Sequence, residues 1–171
     1  MQETYIENIK KVLSNKPKLE KELEVEITNK GKNVFVDGSA EKEFIALEVL
    51  GAINMGFPLN DALELRKEDV NLQILNIKDL TKRTDLERVR ARIIGKHGGT
   101  LRTLNNLTQC NIQLYDNNVG VIGDCEEIDD AIQALTSLIQ GSKQSNVYAR
   151  LEKQRKKKKE EKDVIIRNEL K

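Results

Sequence analysis

The sequence of 171 residues is poor in the residue types that build aromatic cores and cofactor sites. It contains no Trp, three Phe, three Tyr, one His and two Cys. The core must therefore consist mainly of Ile, Leu and Val. No uninterrupted apolar run approaches the ~20 residues that cross a bilayer, and the N-terminus lacks the order of a signal peptide, in which a basic segment precedes an apolar one. These absences predict a cytoplasmic protein without a membrane partner.

The cysteines and the histidine do not form a pattern that indicates metal binding or catalysis. Cys110 and Cys125 are not a C-x-x-C pair and have no neighbouring His, so no zinc site is expected. Both are predicted to be small buried residues. His97 lacks a partner carboxylate or nucleophile that the sequence would point to, and no carboxylate cluster or acid–base pair stands out. We therefore expect no cofactor, no metal, no catalytic residue and no enzymatic activity.

Charge is distributed unevenly, although the formal net charge is only +1. Residues 1–80 contain 11 Lys and Arg against 15 Asp and Glu, whereas residues 81–171 contain 18 against 13. Within residues 82–102, seven basic residues accompany two acidic ones. A local basic surplus of this kind is where an anionic polymer is expected to dock.

A glycine loop lies inside this basic segment. Residues 92–114 read RIIGKHGGTLRTLNNLTQCNIQL, with leucines at three-residue intervals after the loop Gly95-Lys96-His97-Gly98. The spacing predicts a helix over residues 99–108. The first-turn N–H groups of such a helix are unpaired and its end is electropositive, so a phosphate can bind there. A P-loop is disfavoured because Lys96 precedes the second glycine and no strand leads directly into the loop.

The pattern along the chain predicts the same order of elements twice. In the first half, an extended start precedes a helix up to residue 14, a short helix over 18–23, a hairpin with strands at 23–28 and 34–36, and a long helix over 40–55. A further short helix is expected over 59–65. In the second half, a strand over 72–77 precedes a helix that begins after Thr84-Asp85, the loop, the helix 99–108, strands at 111–115 and 119–122, and a last long helix. The period is about 80 residues.

The C-terminal segment is dominated by charge. Residues 150–162 read RLEKQRKKKKEEK, which is typical of either a solvated helix or a disordered basic tail. The simpler interpretation is a solvated extension with weak, non-specific affinity for polyanions. The alternative is that this segment makes a specific contact with nucleic acid.

The segment IIGKHGGTLRTLNNLTQCNIQL resembles the core of a KH domain, in which I-G-x-x-G precedes apolar positions three apart, then Thr and a strand. The resemblance implies that the loop clamps the backbone of about four single-stranded nucleotides while their bases lie in an apolar groove. One departure is Gln109, where the family usually has Gly. This difference is expected to alter a turn more than the binding loop.

The position of the loop in the first half is occupied by Ser-Asn-Lys-Pro at residues 14–17, without glycine. The first unit thus resembles a degenerate KH domain that serves as a packing or protein-binding platform. Together with LQILNIKDL before the second helix pair and SNVYARLE near the end, the chain resembles the archaeal relatives of the small-subunit assembly factor called partner of Nob. This resemblance implies binding to the 3′ region of small-subunit ribosomal RNA on the pre-small ribosomal subunit, together with the Nob-type endonuclease that makes the cut.

The expected fold is therefore α+β, with two tandem type I KH domains of order β-α-α-β-β-α. The first, degenerate domain spans residues 1–70, the second, with the intact loop, spans 71–145, and a charged extension spans 146–171. Two other functions stay open, a general regulator of messenger RNA and a subunit of an RNA-processing enzyme. The residues expected to contact RNA are Arg88, Arg90, Arg92, Ile94, Gly95, Lys96, His97, Gly98, Gly99, Thr100, Leu101, Arg102, Ile112 and Leu114.

Overall fold

The computed structural model describes residues 1–171 as six strands and nine α-helices. The first half contains β1 (Gln2–Tyr5), α1 (Ile9–Ser14), α2 (Lys16–Leu23), β2 (Glu26–Lys30), β3 (Asn33–Asp37), α3 (Ala40–Asn54) and α4 (Leu59–Leu63). The second half contains β4 (Val70–Asn76), α5 (Ile77–Leu80), α6 (Leu86–Ile94), α7 (Gly99–Thr108), β5 (Asn111–Tyr115), β6 (Asn118–Asp124), α8 (Cys125–Ile139) and α9 (Gln144–Glu169). Short 3₁₀ turns lie at Glu64–Arg66 and Lys96–Gly98.

Each half forms its own three-stranded antiparallel sheet, and the strand order is the same in both. The orders are β1-β3-β2 and β4-β6-β5, so the third strand of each half lies in the middle. The hairpin predicted in the first half is present, with Ile27 opposite Val36. In the second half, Ile112 lies opposite Val121 and Leu72 opposite Ile122. The predicted duplication is therefore present in the order of the strands and of the helix pair, whereas the second half has an additional short helix, α5, which begins at Ile77 within the predicted strand.

Local chemistry explains where the helices of the second half begin and end. The Asp124 carboxylate accepts a hydrogen bond from the Glu126 N–H at 2.9 Å and caps the start of α8. The helix α7 ends at Gln109, which adopts a left-handed conformation with φ 56° and ψ 26°. This backbone conformation favours glycine and costs a side chain roughly 1–2 kcal/mol, which explains why Gly is usual there. The Gln109 amide donates a hydrogen bond to the Asn106 carbonyl at 2.6 Å.

Two hydrophobic clusters form the core, and β6 contributes to both. Val119 and Val121 belong to the cluster under the helices of the second half, whereas Ile122 belongs to the cluster of the first half. On the same face as Ile122, a Cβ added to Gly120 would lie 2.8 Å from the ring of Phe57. Successive residues of a strand point to opposite faces, so helices cover one face of the second sheet and the first half covers the other.

The charged C-terminal segment forms the helix α9, whose first half belongs to the second core. Val147 and Leu151 are both 2% exposed. Lys158 forms ion pairs with Asp130 at 2.7 Å and Glu127 at 3.3 Å on α8. Beyond these contacts, Val164, Ile165 and Ile166 are exposed together with the surrounding charges. The segment is thus helical, and it is anchored on the second unit over its first four turns.

The expectation that both cysteines are buried is correct for Cys110 and wrong for Cys125. Cys110 is 3% exposed, and burial raises the pKa of its thiol to about 11. Cys125 is exposed because it is the first residue of α8, where the chain leaves the sheet. The side-chain amide of Asn71 lies 3.0 Å from its sulfur. None of the helices is both long and apolar enough to span a membrane.

Candidate nucleic-acid interface

The helices α6 and α7 are joined by the loop Gly95–Gly98, and Gly95 is the position where the chain reverses. Gly95 has φ 74° and ψ 176°, a region that is accessible essentially only to glycine. A Cβ at this position would lie 2.1 Å from the hydroxyl oxygen of Thr100. The first glycine is therefore required both by its backbone conformation and by the close approach of α7.

The next residues of the loop keep the backbone in an unusual conformation. His97 has φ 53° and Gly98 has φ 72°, so two adjacent residues are left-handed. A Cβ at Gly98 would meet only the tip of the Arg102 side chain, at 3.6 Å, and a Cβ at Gly99 would meet nothing within 4 Å. The outer surface of the loop is thus open, and the N–H groups of the first turn of α7 lie directly behind it.

The structure divides the basic side chains near the loop into two groups. Arg88, Lys96 and Arg102 are exposed and form no ion pair. Arg90, in contrast, donates a hydrogen bond to the Asn117 side chain at 2.9 Å and lies 3.6 Å from Asp116. Arg92 donates to the Ser142 carbonyl at 2.5 Å.

Arg90 and Arg92 thus connect α6 to the turn between β5 and β6 and to the segment after α8. The free positive charge around the loop comes from the exposed group. The sequence could not separate the two groups, since all five side chains are basic residues within one short segment.

The apolar residues predicted to form the groove lie at different depths. Ile112 is 4% exposed and belongs to the core, where it faces the helices together with the half-buried Leu114. Leu101 is half-buried on α7, and Ile94 at the end of α6 is 39% exposed. The helix α7 packs against β5, and Leu101 and Leu114 pack against the second cluster, to which Ile112 belongs, whereas Ile94 does not.

One polar contact at the loop was not indicated by any sequence signal. The side-chain amide of Gln144, at the start of α9, donates to the Arg92 carbonyl at 3.2 Å and to the Thr100 hydroxyl at 3.1 Å. Gln144 is distant in sequence from both partners and belongs to no motif. A second such contact joins the Asn105 side chain to the Ile112 N–H at 3.1 Å. The structure contains no group of three or more His, Cys, Asp or Glu side chains that could hold a metal ion.

Comparison with known proteins assigns the chain to a family. A family model described as a eukaryotic type KH domain (KH-domain type I), for the second KH domain of PNO1 proteins, matches residues 71–156. The matched region includes α6, the glycine loop, α7 and β5, and it extends into α9.

Curated relatives match most of the chain. A KH domain-containing protein of Methanocaldococcus jannaschii is 30% identical over 149 residues, which are 83% of this chain and 66% of that protein. The pre-rRNA-processing protein PNO1 of Candida glabrata is 32% identical over 130 residues, which are 74% of this chain and 49% of that protein. The chain thus spans about two thirds of the archaeal relative and about half of the yeast one.

A solved structure shares the fold over nearly its full length. The crystal structure of a complex of a/eIF2alpha, aDim2p and rRNA from Pyrococcus horikoshii contains a chain with a TM-score of 0.83 and 26% sequence identity. The match covers 91% of this chain and 94% of that one. On its sequence, its matched domain and its backbone, the chain belongs to the PNO1/Dim2 family of KH-domain proteins.

Proposed function

We propose that this chain is a non-catalytic single-stranded RNA-binding protein that acts in the assembly of the small ribosomal subunit and the maturation of the 3′ end of its RNA. The observation that carries this proposal is the loop Gly95–Gly98, which presents an open left-handed backbone at the start of a helix, beside exposed basic side chains. Such a surface suits the phosphates of a flexible strand, because backbone N–H groups and glycine permit close approach.

In this proposal the RNA backbone runs over Gly95, Lys96, His97 and Gly98, and the helix start at Gly99 and Thr100 lies behind it. Arg88, Lys96 and Arg102 supply the free positive charge that attracts the strand. The bases lie against Ile94, Leu101 and Leu114, with Ile112 supporting this floor from below. Arg90 and Arg92 act indirectly, by fixing the position of α6, since their guanidinium groups already have partners within the protein.

The first unit, residues 1–70, is proposed to be a degenerate KH domain, and residues 71–145 an intact one. The common strand order of the two sheets supports this division. In the first unit a single residue, Asn15, with φ −108°, separates α1 from α2, and this junction contains no glycine. The unit therefore has no open loop for a phosphate backbone. Its role would be to bind a protein partner and to support the second sheet, and residues 146–171 form the charged extension.

The proposed partners follow from the family. The yeast relative is a pre-rRNA-processing protein, and the archaeal structural relative is part of a complex with rRNA. We infer that this chain binds the 3′ region of small-subunit ribosomal RNA on the pre-small ribosomal subunit, where a Nob-type endonuclease makes the cut. This role would place the chain in the cytoplasm.

The proposal is tested by crosslinking the chain to RNA in cells and sequencing the bound fragments. Enrichment of the 3′ end of small-subunit ribosomal RNA is the expected result, whereas a broad spread over messenger RNAs would favour a general regulator. The purified chain should bind a synthetic oligonucleotide of that 3′ sequence more tightly than a scrambled one, and its affinity should fall with salt. Metal-dependent cleavage of the oligonucleotide by the purified chain would contradict the non-catalytic role.

A further inference from the structure

The turn after α8 and the first residue of α9, residues 141–144, lie against the base of the glycine loop. Gly141 has φ 106°, which only glycine readily adopts, and its N–H donates to the Leu138 carbonyl at 3.2 Å. The Ser142 N–H donates to the Ser137 carbonyl at 2.9 Å. These bonds close α8 with a fixed turn and direct the chain across the junction of α6 and α7. We call residues 141–144 the strap.

The strap contacts both ends of the α6–α7 junction. The Gln144 side-chain amide donates to the Arg92 carbonyl, 3.2 Å away, and to the Thr100 hydroxyl, 3.1 Å away. The Arg92 guanidinium donates in return to the Ser142 carbonyl at 2.5 Å. Arg92 belongs to the last turn of α6, where carbonyls lack intrahelical partners, and Thr100 belongs to the first turn of α7. One side chain therefore joins the helix before the loop to the helix after it.

The Thr100 hydroxyl, which is one of the two partners of Gln144, also faces the first glycine of the loop. The position of a Cβ at Gly95 would lie 2.1 Å from this hydroxyl oxygen. Thr100 is itself only 6% exposed. A shift of Thr100 toward the loop would therefore displace the Gly95 backbone, because the two are in close contact. Holding Thr100 in place holds the first glycine of the loop.

The strap is itself held by the core. Gln144 is the first residue of α9, and Val147 and Leu151 on the following turns are buried in the second cluster. The Arg150 guanidinium donates to the Ser137 hydroxyl at 2.8 Å. The two hydrogen bonds of the Gln144 amide therefore connect the α6–α7 junction to a backbone that is anchored in the second core.

We propose that Gln144 is a positioning residue for RNA binding, which fixes the conformation of the glycine loop by joining the Arg92 carbonyl to the Thr100 hydroxyl. This inference rests on the proposed function, because it assigns to the strap the task of holding the loop in the conformation that receives RNA. It also assigns a role to α9, whose first turn completes the binding surface from behind without touching the RNA.

The test compares Gln144→Met with Gln140→Met. Methionine preserves the length of the side chain and its packing but cannot donate a hydrogen bond. Gln140 is exposed, lies just before the strap and has no side-chain hydrogen bond, so it is a matched control. Amide hydrogen exchange of the free protein should become faster at residues 96–100 in the Gln144 variant and stay unchanged in β5, β6 and the control. RNA affinity should fall about fivefold, as the loss of one to two net hydrogen bonds implies.

A double variant separates positioning from a general loss of stability. Thr100→Val removes the hydroxyl that accepts the hydrogen bond but keeps the shape of the side chain. If the Gln144 amide acts through this hydroxyl, the losses of RNA affinity caused by Thr100→Val and by Gln144→Met should be less than additive in the double variant. Independent, additive effects would overturn the inference, as would unchanged exchange at residues 96–100 or a uniform increase over the whole chain.

The exchange measurement needs no RNA, so it tests the strap independently of the proposed function. If exchange increases at the loop but neither the wild type nor any variant binds RNA, the proposed function fails. The strap would then stabilise the loop without a role in RNA binding, so the inference about Gln144 would be overturned as well. If RNA binds and Gln144→Met affects neither affinity nor exchange, the inference about Gln144 fails while the proposed function remains.

Discussion

Replacing Gly98 with Asp and, separately, with Asn gives a direct test of RNA binding at the glycine loop. Gly98 has φ 72°, a left-handed conformation that Asn and Asp tolerate better than other side chains. A Cβ there meets only the Arg102 side chain, at 3.6 Å, so both side chains fit on the outer surface of the loop. The two variants have nearly the same shape and differ by one negative charge. Any difference in their RNA affinity is therefore electrostatic.

The expected difference follows from Coulomb's law. A carboxylate about 5 Å from one phosphate, at an effective dielectric constant between about 20 and 80, repels it by about 1–3 kcal/mol. That energy corresponds to an affinity about 5- to 150-fold weaker for the Asp variant than for the Asn variant. Folding stability should follow the opposite order, because a carboxylate at the N-cap of α7 stabilises the helix by about 0.3–1 kcal/mol.

Fluorescence anisotropy with a labelled RNA of the small-subunit 3′ end, at several salt concentrations, measures the affinities, and thermal unfolding measures the stabilities. The ratio between the Asn and Asp variants should shrink as salt is raised, since screening weakens the repulsion. Equal affinities of the two variants at low salt, with both folded, would refute the placement of the RNA backbone at Gly98.

Three further predictions concern the rest of the chain. Gly120→Ala places a methyl group about 2.8 Å from the Phe57 ring, so it should lower the free energy of unfolding by about 1–3 kcal/mol in denaturant titration, and adding Phe57→Leu should restore part of the loss. Burial lowers the pKa of Lys158, but its hydrogen bonds and ion pairs with two carboxylates of α8 have the larger combined effect. The pKa of Lys158 is therefore raised above the usual 10.5. Lys158→Met should therefore cost up to about 1 kcal/mol at neutral pH, and its deficit relative to the wild type, followed by circular dichroism, should vanish as pH rises through that raised pKa. A maleimide should label Cys125 in the native protein and Cys110 only after unfolding, and rapid native labelling of Cys110 would contradict its burial.

Much of the second unit was predictable because its determinants are local. The leucine spacing after the loop predicted a helix over residues 99–108, and α7 has these bounds. The strand over 111–115 coincides with β5. Helical spacing, capping residues and glycine conformation depend on neighbours within a few positions, so they can be read in sequence. For the same reason the loop itself stood out, with its two glycines and the basic residues around it.

Contacts between distant residues were not predictable from these signals. A basic side chain has the same appearance in sequence whether it faces solvent, as Arg88 does, or hydrogen bonds to a distant residue, as Arg90 and Arg92 do. Likewise, Cys125 could not be distinguished from the buried Cys110 by composition. Such differences depend on which elements pack together, and long-range packing is not encoded in the spacing of a short segment.

The sequence by itself therefore determined the repeated strand order and the glycine loop with its helix, because periodicity and turn chemistry are local. The family followed from the resemblance of the IIGKHGGT segment to known KH domains, which the match over residues 71–156 confirms. Only the tertiary structure decided that Phe57 of the first half covers Gly120 in the second sheet, and that Gln144 at the start of α9 joins the two ends of the loop junction. Both contacts depend on close approach between residues far apart in the chain, and that approach exists only after the two cores have packed.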